Sequence, residues 1–162
     1  MLKLKANDCL CDDDYARFAR FYIAHSKEFH SLYSLHDALL YVMDTVTSSR
    51  LMLLDNEDGQ LSAFIQYRYE DNGTVALIDS AILERTYRSS RIFFTGFRDI
   101  VRQIDLENES VCRVRFHALT DHAYLNRLYG KFARRIGERE GTNGRENVYE
   151  TSMQELRRYL RL

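Results

Sequence analysis

The 162-residue sequence contains no proline and no tryptophan, and it has only seven glycines and three cysteines. Without proline, the ends of helices have to be predicted from glycine, acidic capping residues and hydrophobic periodicity. An odd number of cysteines without a framework spacing argues against a disulfide scaffold and favours a reducing compartment. No apolar run reaches the roughly 20 residues that span a bilayer, and residues 1–6 lack the apolar core of a signal peptide. We therefore expect a soluble, cytoplasmic protein with no membrane partner.

An excess of charge of one sign is also missing. The chain has 23 basic and 24 acidic side chains, so its formal net charge is −1. Bulk attraction to nucleic acid is therefore not expected. Apolar residues make up 45% and charged residues 29% of the chain, which is typical of a globular protein. The length and the lack of repeats or linkers predict a single domain over residues 1–162.

Hydrophobic periodicity and turn signals predict seven strands and five helices in the order β-α-α-β-β-β-α-β-α-β-β-α. The predicted strands cover residues 2–5, 51–54, 61–69, 74–83, 111–119, 135–140 and 147–151. The predicted helices start near residues 12, 35, 90, 121 and 153. On the second helix, one apolar face is expected to contain Leu35, Leu39, Val42, Met43 and Val46.

The loop between the fourth strand and the third helix carries charge and hydroxyl groups. Residues 83–93 read Leu-Glu-Arg-Thr-Tyr-Arg-Ser-Ser-Arg-Ile-Phe. A strand-to-helix turn exposes unpaired backbone N–H groups at the positive end of a helix, and such groups bind phosphate. Arg88 and Arg91 add positive charge beside this position, and Ser89 and Ser90 supply hydroxyl donors. The loop therefore predicts a site for a phosphorylated, anionic ligand.

The order of the elements, with this strand–loop–helix after an antiparallel meander, resembles the GNAT acyl-CoA N-acyltransferases. Residues 83–93 resemble the acyl-CoA-binding motif of that superfamily, R-x-x-G-x-G/A, with Arg88 at the motif arginine. Arg91 and Phe93 stand at the two glycine positions, and glycine is used where backbone approaches a ligand closely. The sequence leaves open whether Arg91 contacts or blocks the pyrophosphate. The resemblance implies an α/β (α+β) fold with a mixed central sheet of about six or seven strands and helices on both faces.

A second segment adds to the resemblance. Residues 126–133, Asn-Arg-Leu-Tyr-Gly-Lys-Phe-Ala, are similar to the late motif of the superfamily, N-x-x-Y-x-x-x-G, with Ala133 at the glycine. The resemblance implies that Asn126 steadies the cofactor arm and that Tyr129 protonates the departing CoA thiolate. A tyrosine can be that acid because the thiolate is basic enough to take its proton. Taken alone, Tyr129 is one of 11 tyrosines, and a core or surface position explains it as well.

The resemblance also implies acetyl-CoA as cofactor. The backbone of Ile82 and Leu83 would hold the pantetheine arm, and the residues from Arg88 to Ile92 would hold the pyrophosphate. Attack on a thioester needs a neutral amine, so a carboxylate commonly removes a proton directly or through water. Asp79 is the candidate base, and Glu84 ends the same strand. A solvent-facing or hydrogen-bonded Asp79 without catalytic role is the other interpretation.

The leading hypothesis is an N-acetyltransferase that moves an acetyl group from acetyl-CoA to a primary amine of a small molecule or protein. Direct attack requires no covalent enzyme intermediate. The alternative is a catalytically inactive binding or structural module of the same fold, such as a phage or accessory protein, that acts through protein–protein contacts. The two replaced glycines motivate this alternative. A protein partner or a homo-oligomer stays open, and the acceptor site is expected near residues 25–35 and 141–147.

Two further patterns have simpler explanations. Cys9 and Cys11 flank one residue, whereas metal and redox pairs usually enclose two or more. Two thiols on one face of a β segment are the simpler interpretation, and no metal site is predicted. Arg85, Arg88 and Arg91 lie three residues apart and could bind nucleic-acid phosphates. The balanced net charge instead favours a small anionic ligand or a solvated helix start.

Overall fold

The computed structural model describes residues 2–29 and 31–162. Its five helices are α1 Asp12–Phe29, α2 Leu35–Ser48, α3 Ser90–Glu107, α4 Ala123–Tyr129 and α5 Met153–Leu160. Its seven strands are β1 Lys5–Asp8, β2 Arg50–Asp55, β3 Leu61–Glu70, β4 Val75–Leu83, β5 Arg113–Leu119, β6 Arg134–Gly141 and β7 Gly144–Ser152. The predicted order of elements is confirmed, and most bounds agree within two or three residues.

The strands form one seven-stranded mixed sheet in the order β1-β2-β3-β4-β5-β7-β6. β1 pairs with β2, β2 with β3, β5 with β7 and β6 with β7, all antiparallel. β4 and β5 are parallel, with Val75 opposite Arg113 and Ile78 opposite Phe116. A parallel pair needs a crossover, and α3 is the helix of that crossover. The predicted mixed α+β class is therefore confirmed.

The chain divides into two compact units, and a single domain over residues 1–162 stays a prediction. The first unit comprises Met1–Tyr67 and Ser80–Gly96. Its core packs aromatic side chains of α1 against β3: the rings of Phe18 and Phe64 meet edge to face at 4.9 Å. Tyr22 of α1 stacks on Tyr41 of α2 at 4.1 Å.

The second helix begins where the sequence predicts but buries a partly different face. Ser34 caps it, because its hydroxyl accepts the N–H of Asp37 and the Asp37 carboxylate accepts the N–H of Ser34. Ala38 and Thr45 are buried, whereas Leu35, Leu39 and Met43 are exposed. The predicted apolar face is therefore confirmed only for Val42 and Val46, which are half-buried and pack against the core of the first unit. The sequence shows periodicity but not which of two neighbouring stripes meets the core.

The second unit comprises Arg68–Asp79 and Phe97–Leu162. The sequence predicts an apolar stripe of Phe93, Phe97, Ile100, Val101 and Ile104 on α3, and all of these residues are buried except the half-buried Phe93. The acidic segment 105–109, which is predicted to end this helix, contains its last residue, Glu107. Phe97 stacks on Phe116 of β5 with ring centroids 5.5 Å apart.

Three smaller predictions can be compared with the structure. The first strand lies at Lys5–Asp8, three residues later than predicted, so Cys9 and Cys11 follow it and do not share a β segment. Cys9 is buried and Cys11 is exposed, and both are free thiols. Among the described residues, no group of acidic, His or Cys side chains is arranged to hold a metal. In the same part of the chain, no helix has both the length and the apolar character needed to cross a bilayer.

Candidate functional site

The start of α3 presents free backbone donors. β4 ends at Leu83, a short 3-10 turn covers Arg85–Tyr87, and α3 begins at Ser90. The Ser89 hydroxyl oxygen caps the helix by accepting the Ile92 N–H at 3.2 Å. Within residues 2–29 and 31–162, the N–H groups of Ser90 and Arg91 have no acceptor. Two unpaired donors at the positive end of an 18-residue helix can receive a phosphate group.

Arg88 and Arg91 differ in how they are held. The Arg88 guanidinium donates from Nε to the carbonyl oxygen of Leu83 at 2.9 Å and lies 3.3 Å from the Glu28 carboxylate of α1. Arg91 is exposed, and its side chain forms no ion pair within the described part of the chain. The structure therefore places one anchored and one free cation beside the free donors of Ser90 and Arg91.

The end of β4 already has intramolecular partners. Ile82 is half-buried and packs against the core of the first unit. The carbonyl oxygen of Leu83 accepts the Arg88 hydrogen bond, and the N–H of Glu84 bonds to the Ser62 carbonyl oxygen at 2.8 Å. The predicted role of Ile82 and Leu83 in holding a pantetheine arm stays a prediction. Any ligand bond to the Leu83 carbonyl would share that oxygen with Arg88.

In the second unit, Asn126 is fully hydrogen-bonded. Its amide nitrogen donates to the carbonyl oxygens of Leu119 at 2.8 Å and His122 at 2.9 Å. Its amide oxygen accepts from the Asn147 side chain at 2.7 Å and the Tyr149 hydroxyl at 2.9 Å. Asn126 thus ties α4 to the last residue of β5 and to the middle of β7. A role in steadying a cofactor arm stays a prediction.

Tyr129 lies in an aromatic cluster three residues further along α4. Its ring is 5.1 Å from that of Phe116 and also contacts Phe132 and Tyr149. Burial raises the pKa of the Tyr129 phenol above its ordinary value. Its hydroxyl forms no hydrogen bond to any described residue. Such a phenol stays protonated at neutral pH and keeps its proton available, while its role as an acid stays a prediction.

Asp79 directly follows Ile78, the last residue of β4 that pairs with β5, and it lies among charged side chains. The His117 ring is the largest influence that lowers the pKa of Asp79, followed by Arg68 and Arg139, against the opposing effect of burial. The Arg139 guanidinium lies 3.4 Å and the Arg68 guanidinium 3.9 Å from the carboxylate. A carboxylate stabilised in this way stays ionised but is a weak base.

His117 has a position that the sequence prediction missed. Its side chain is 5% exposed, and Nδ1 is buried without a hydrogen-bond partner among the described residues. Nδ1 lies 3.7 Å from Asp79 Oδ1 and 4.0 Å from Glu146 Oε2. The signal was present in the sequence: Arg113, Arg115 and His117 alternate with apolar residues and so share the polar face of one strand.

His117 also lines an open groove of about 350 Å³ in the second unit. Its polar lining is formed by Glu70, Arg115, Glu138 and Arg139, and its apolar lining by Ile136 and Val148. Gly137 completes the lining. β6 has a register shift between Arg135 and Gly137, which places Ile136 at a β-bulge. Bulges of this kind redirect a side chain beside a site.

Comparisons with known proteins support the fold. No family model matches the sequence, and no curated protein matches it. The acetyltransferase of GNAT family from Streptococcus pneumoniae matches with a TM-score of 0.67 and 11% identity, over 93% of this chain and 99% of that chain. The spermidine N-acetyltransferase from Vibrio cholerae, in complex with CoA and spermine, matches with a TM-score of 0.69 and 10% identity, over 95% of this chain and 98% of that chain. An aminoglycoside acetyltransferase in complex with coenzyme A and kanamycin matches with a TM-score of 0.69 and 15% identity, over 98% of each chain.

Sequence identities of this size establish the fold and no more. The alignments nevertheless cover nearly all of this chain and nearly all of each matched structure. The likeness of fold therefore extends over nearly the whole chain. The resemblance stated from the sequence is confirmed at this level: the chain has the fold of the GNAT acetyltransferases.

Proposed function

We propose that the protein transfers an acetyl group from acetyl-CoA to a primary amine of a small molecule or protein. The observation that carries the proposal is the start of α3, where the N–H groups of Ser90 and Arg91 have no acceptor among the described residues. Two matched structures of the same fold are described as complexes with CoA. A GNAT-like fold in which two backbone N–H groups after the fourth strand can bind a phosphate supports this function better than a purely structural role.

The residues at this position fit the anionic part of acetyl-CoA. The two free N–H groups suit phosphate oxygens, and the exposed Arg91 adds a cation beside them. Ser89 and Ser90 supply hydroxyls, and Arg88 adds a second cation when it leaves Glu28. The N–H of Ile92 bonds to the Ser89 hydroxyl oxygen and so keeps the first turn of α3 in place. The main chain of Ile82 and Leu83 would hold the pantetheine arm of acetyl-CoA. Acetyl-CoA supplies an activated acyl group as a thioester.

Of the remaining predicted residues, Tyr129 and Asp79 are proposed to donate and to help remove protons during the reaction. Tyr129 holds its proton at neutral pH and is the proposed acid for the departing sulfur. Asp79 is the carboxylate proposed to assist removal of the amine proton. Its lowered pKa makes it a poor direct base, so its contribution is expected to pass through a neighbouring group. Asn126 is proposed to keep α4, and with it Tyr129, in position.

A catalytically inactive binding module of the same fold is the second candidate. Two observations favour it: Arg91 and Phe93 stand at the motif glycines, and Arg88 is already bound to Glu28 and Leu83. The exposed apolar side chains of α2, which include Leu35 and Met43, are typical of surfaces that contact a partner. A protein partner, a homo-oligomer and a cytoplasmic location stay predictions.

Isothermal titration of acetyl-CoA into the purified protein tests the proposal. We expect binding in the micromolar range, and we expect Arg88→Ala and Arg91→Ala each to weaken it about tenfold, the effect of one charge-assisted bond of about 1.5 kcal/mol. Arg102→Ala is the matched control, because Arg102 lies on the same helix but three turns beyond its start. Its affinity should equal that of the wild type.

The outcomes separate the two candidates. Binding that falls in the Arg91 variant but not in the Arg102 variant supports the acetyltransferase, and a mass-spectrometric screen for acetylated amines then identifies the acceptor. If a protein with a native circular-dichroism spectrum binds no acetyl-CoA, the acetyltransferase proposal is wrong. The inactive module is then the remaining function for the fold.

A further inference from the structure

The groove beside His117 combines two chemical characters. Val148 and the bulged Ile136 provide an apolar surface, and the Glu70 and Glu138 carboxylates lie at the same groove. Gly137 stands opposite Val148, which in turn stands opposite His117, so all three share one face of the sheet. A Cβ at Gly137 would meet no described atom within 4 Å. The groove therefore has room for a short aliphatic chain that ends in a polar group.

The two arginines of the groove are already neutralised. Arg115 lies 3.0 Å from Glu70 and 2.9 Å from Glu150. Arg139 lies 2.6 Å from Glu146 and also contacts Asp79. Each guanidinium is thus held between two carboxylates and does not offer a free cation to repel an ammonium group. The groove carboxylates are paired as well, Glu70 with Arg68 and Arg115 and Glu138 with Arg135. The ion pairs therefore balance the charges of the groove, which can accommodate a neutral primary amine.

At this groove, Nδ1 of His117 is buried and has no hydrogen-bond partner in the described part of the chain. The charged groups that face it come from every neighbouring strand: Arg68 and Glu70 of β3, Asp79 of β4, Arg115 of β5, and Arg139 and Glu146 of β6 and β7. Asp79 and Glu146 both lie on the Nδ1 side of its ring. Two carboxylates at one nitrogen favour the tautomer with hydrogen on Nδ1, which leaves the Nε2 lone pair as a proton acceptor.

We propose that this groove is the acceptor-amine site and that His117 takes the proton from the amine. The inference rests on the proposed acetyl transfer and names its acceptor: a primary amine on a short aliphatic chain. Asp79 and Glu146 are then positioning residues, since Asp79 does not line the groove whereas His117 does. In this arrangement Asp79, whose lowered pKa makes it a weak base, orients His117, and His117 takes the proton.

The step balances in atoms and charge. The amine lone pair forms the N–C bond to the acetyl carbonyl carbon, and the C–S bond breaks with its electron pair on sulfur. The N–H proton passes to Nε2 of His117, and the imidazolium that forms is stabilised by Asp79 and Glu146. The departing sulfur takes a proton from Tyr129. The products are the acetylated amine and CoA. His117 then releases its proton to water, and the Tyr129 phenolate takes one proton back from water.

The pH dependence of His117→Gln tests the role of the histidine. We expect this variant to lower kcat/KM about 100-fold or more and to abolish the loss of activity on the acidic side of the pH profile. Its affinity for acetyl-CoA should be unchanged. A variant that keeps both the rate and the acidic limb of the wild type overturns the role of His117 while leaving the acetyltransferase proposal intact.

Gly137→Val tests the groove without touching the proton acceptor. The new side chain enters open space on the face that carries His117, and the glycine has no positive φ, so the fold should tolerate it. We expect KM for the amine to rise about tenfold or more, the effect of losing one well-packed contact of about 1.4 kcal/mol. An unchanged KM in this variant overturns the groove as acceptor site, even if His117→Gln fails to fold.

A binding measurement distinguishes failure of this inference from failure of the proposed function. Propylamine is titrated into protein with nitrogen-15-labelled histidine, with propanol as the uncharged control and exposed His122 as the internal control. We expect saturable shifts of the His117 ring nitrogens with propylamine alone; their absence overturns the amine site. If these shifts occur but the protein neither binds acetyl-CoA nor acetylates any amine, amine binding stands and the catalytic role falls with the proposed function.

Discussion

Arg88 donates a hydrogen bond from Nε to the carbonyl oxygen of Leu83, and the two atoms lie 2.9 Å apart. The arginine of the predicted pyrophosphate loop is thus fastened to the last residue of β4, on which the pantetheine arm is predicted to lie. Its outer nitrogen reaches the Glu28 carboxylate at 3.3 Å. The Glu28 carboxylate partly neutralises this guanidinium and would repel a phosphate beside it, so the ion pair competes with the proposed ligand.

Replacing Glu28 by glutamine should therefore strengthen binding of acetyl-CoA. Surface ion pairs contribute about 0.2–1 kcal/mol, so the expected gain in affinity is about 1.4- to fivefold. Isothermal titration measures it, and Glu57→Gln in the exposed turn between β2 and β3 is the control. Weaker binding in the Glu28 variant would show that the carboxylate supports the loop rather than competing for it.

Asn126→Ala should destabilise the second unit. The change removes one donor group and one acceptor group that together serve Leu119, His122, Asn147 and Tyr149. The expected loss in the free energy of unfolding is about 2–4 kcal/mol, measured by urea denaturation. Arg127→Ala, an exposed position on the same helix, should change it by less than about 0.5 kcal/mol. Equal stabilities of the two variants would contradict a structural role for Asn126.

Tyr129→Phe should separate chemistry from packing. The phenol makes no hydrogen bond to the described residues, so its removal leaves the ring contacts to Phe116 and Phe132 in place. We expect the free energy of unfolding to stay within about 0.5 kcal/mol of the wild type. If Tyr129 is the acid, kcat should fall about 100-fold. Tyr124→Phe, exposed on the same helix, is the control, and an undiminished kcat in the Tyr129 variant would exclude the acid role.

The free energy of unfolding should depend on pH through Asp79. Its folded-state pKa is lowered, so the unfolded chain binds the proton first as the pH falls. The stabilisation is present above the ordinary value of 3.8 and is lost as the pH falls through the lowered pKa. Asp79→Asn should give a flatter dependence than the wild type between about pH 5 and 2. Asp121→Asn at an exposed position is the control, and matching curves for wild type and Asp79→Asn would contradict the prediction.

Local patterns in the sequence were sufficient for the order of elements. The stripe Phe97, Ile100, Val101 and Ile104 predicts the buried face of α3 because helical periodicity is a property of adjacent turns. The loop from Leu83 to Ser90 was likewise identified by its charges and its place between a strand and a helix. Where two apolar stripes lie side by side, as on α2, periodicity does not decide which one is buried.

The candidate site depended more on the tertiary structure. The sequence identified Asp79 as a carboxylate of interest but missed His117, because their proximity follows from the parallel register of β4 and β5. That register is fixed by residues about 40 positions apart along the chain, and no local pattern encodes it. The groove also depends on the pairing of β5 with β7 and of β7 with β6, which brings residues of three strands together.

The sequence by itself determined the alternation of strands and helices and the resemblance to a GNAT fold, and it predicted an anionic-ligand site in the loop before α3. These features are set by local periodicity, capping and composition, which act over a few residues. The tertiary structure decided which polar groups are paired: Arg88 with Glu28, 60 residues away, and Asn126 with Asn147 and Tyr149. It also left Nδ1 of His117 buried with no hydrogen bond to any residue that the structure describes. Such pairings depend on how distant strands and helices pack, because the cost of burying a polar group is decided only when its surroundings form.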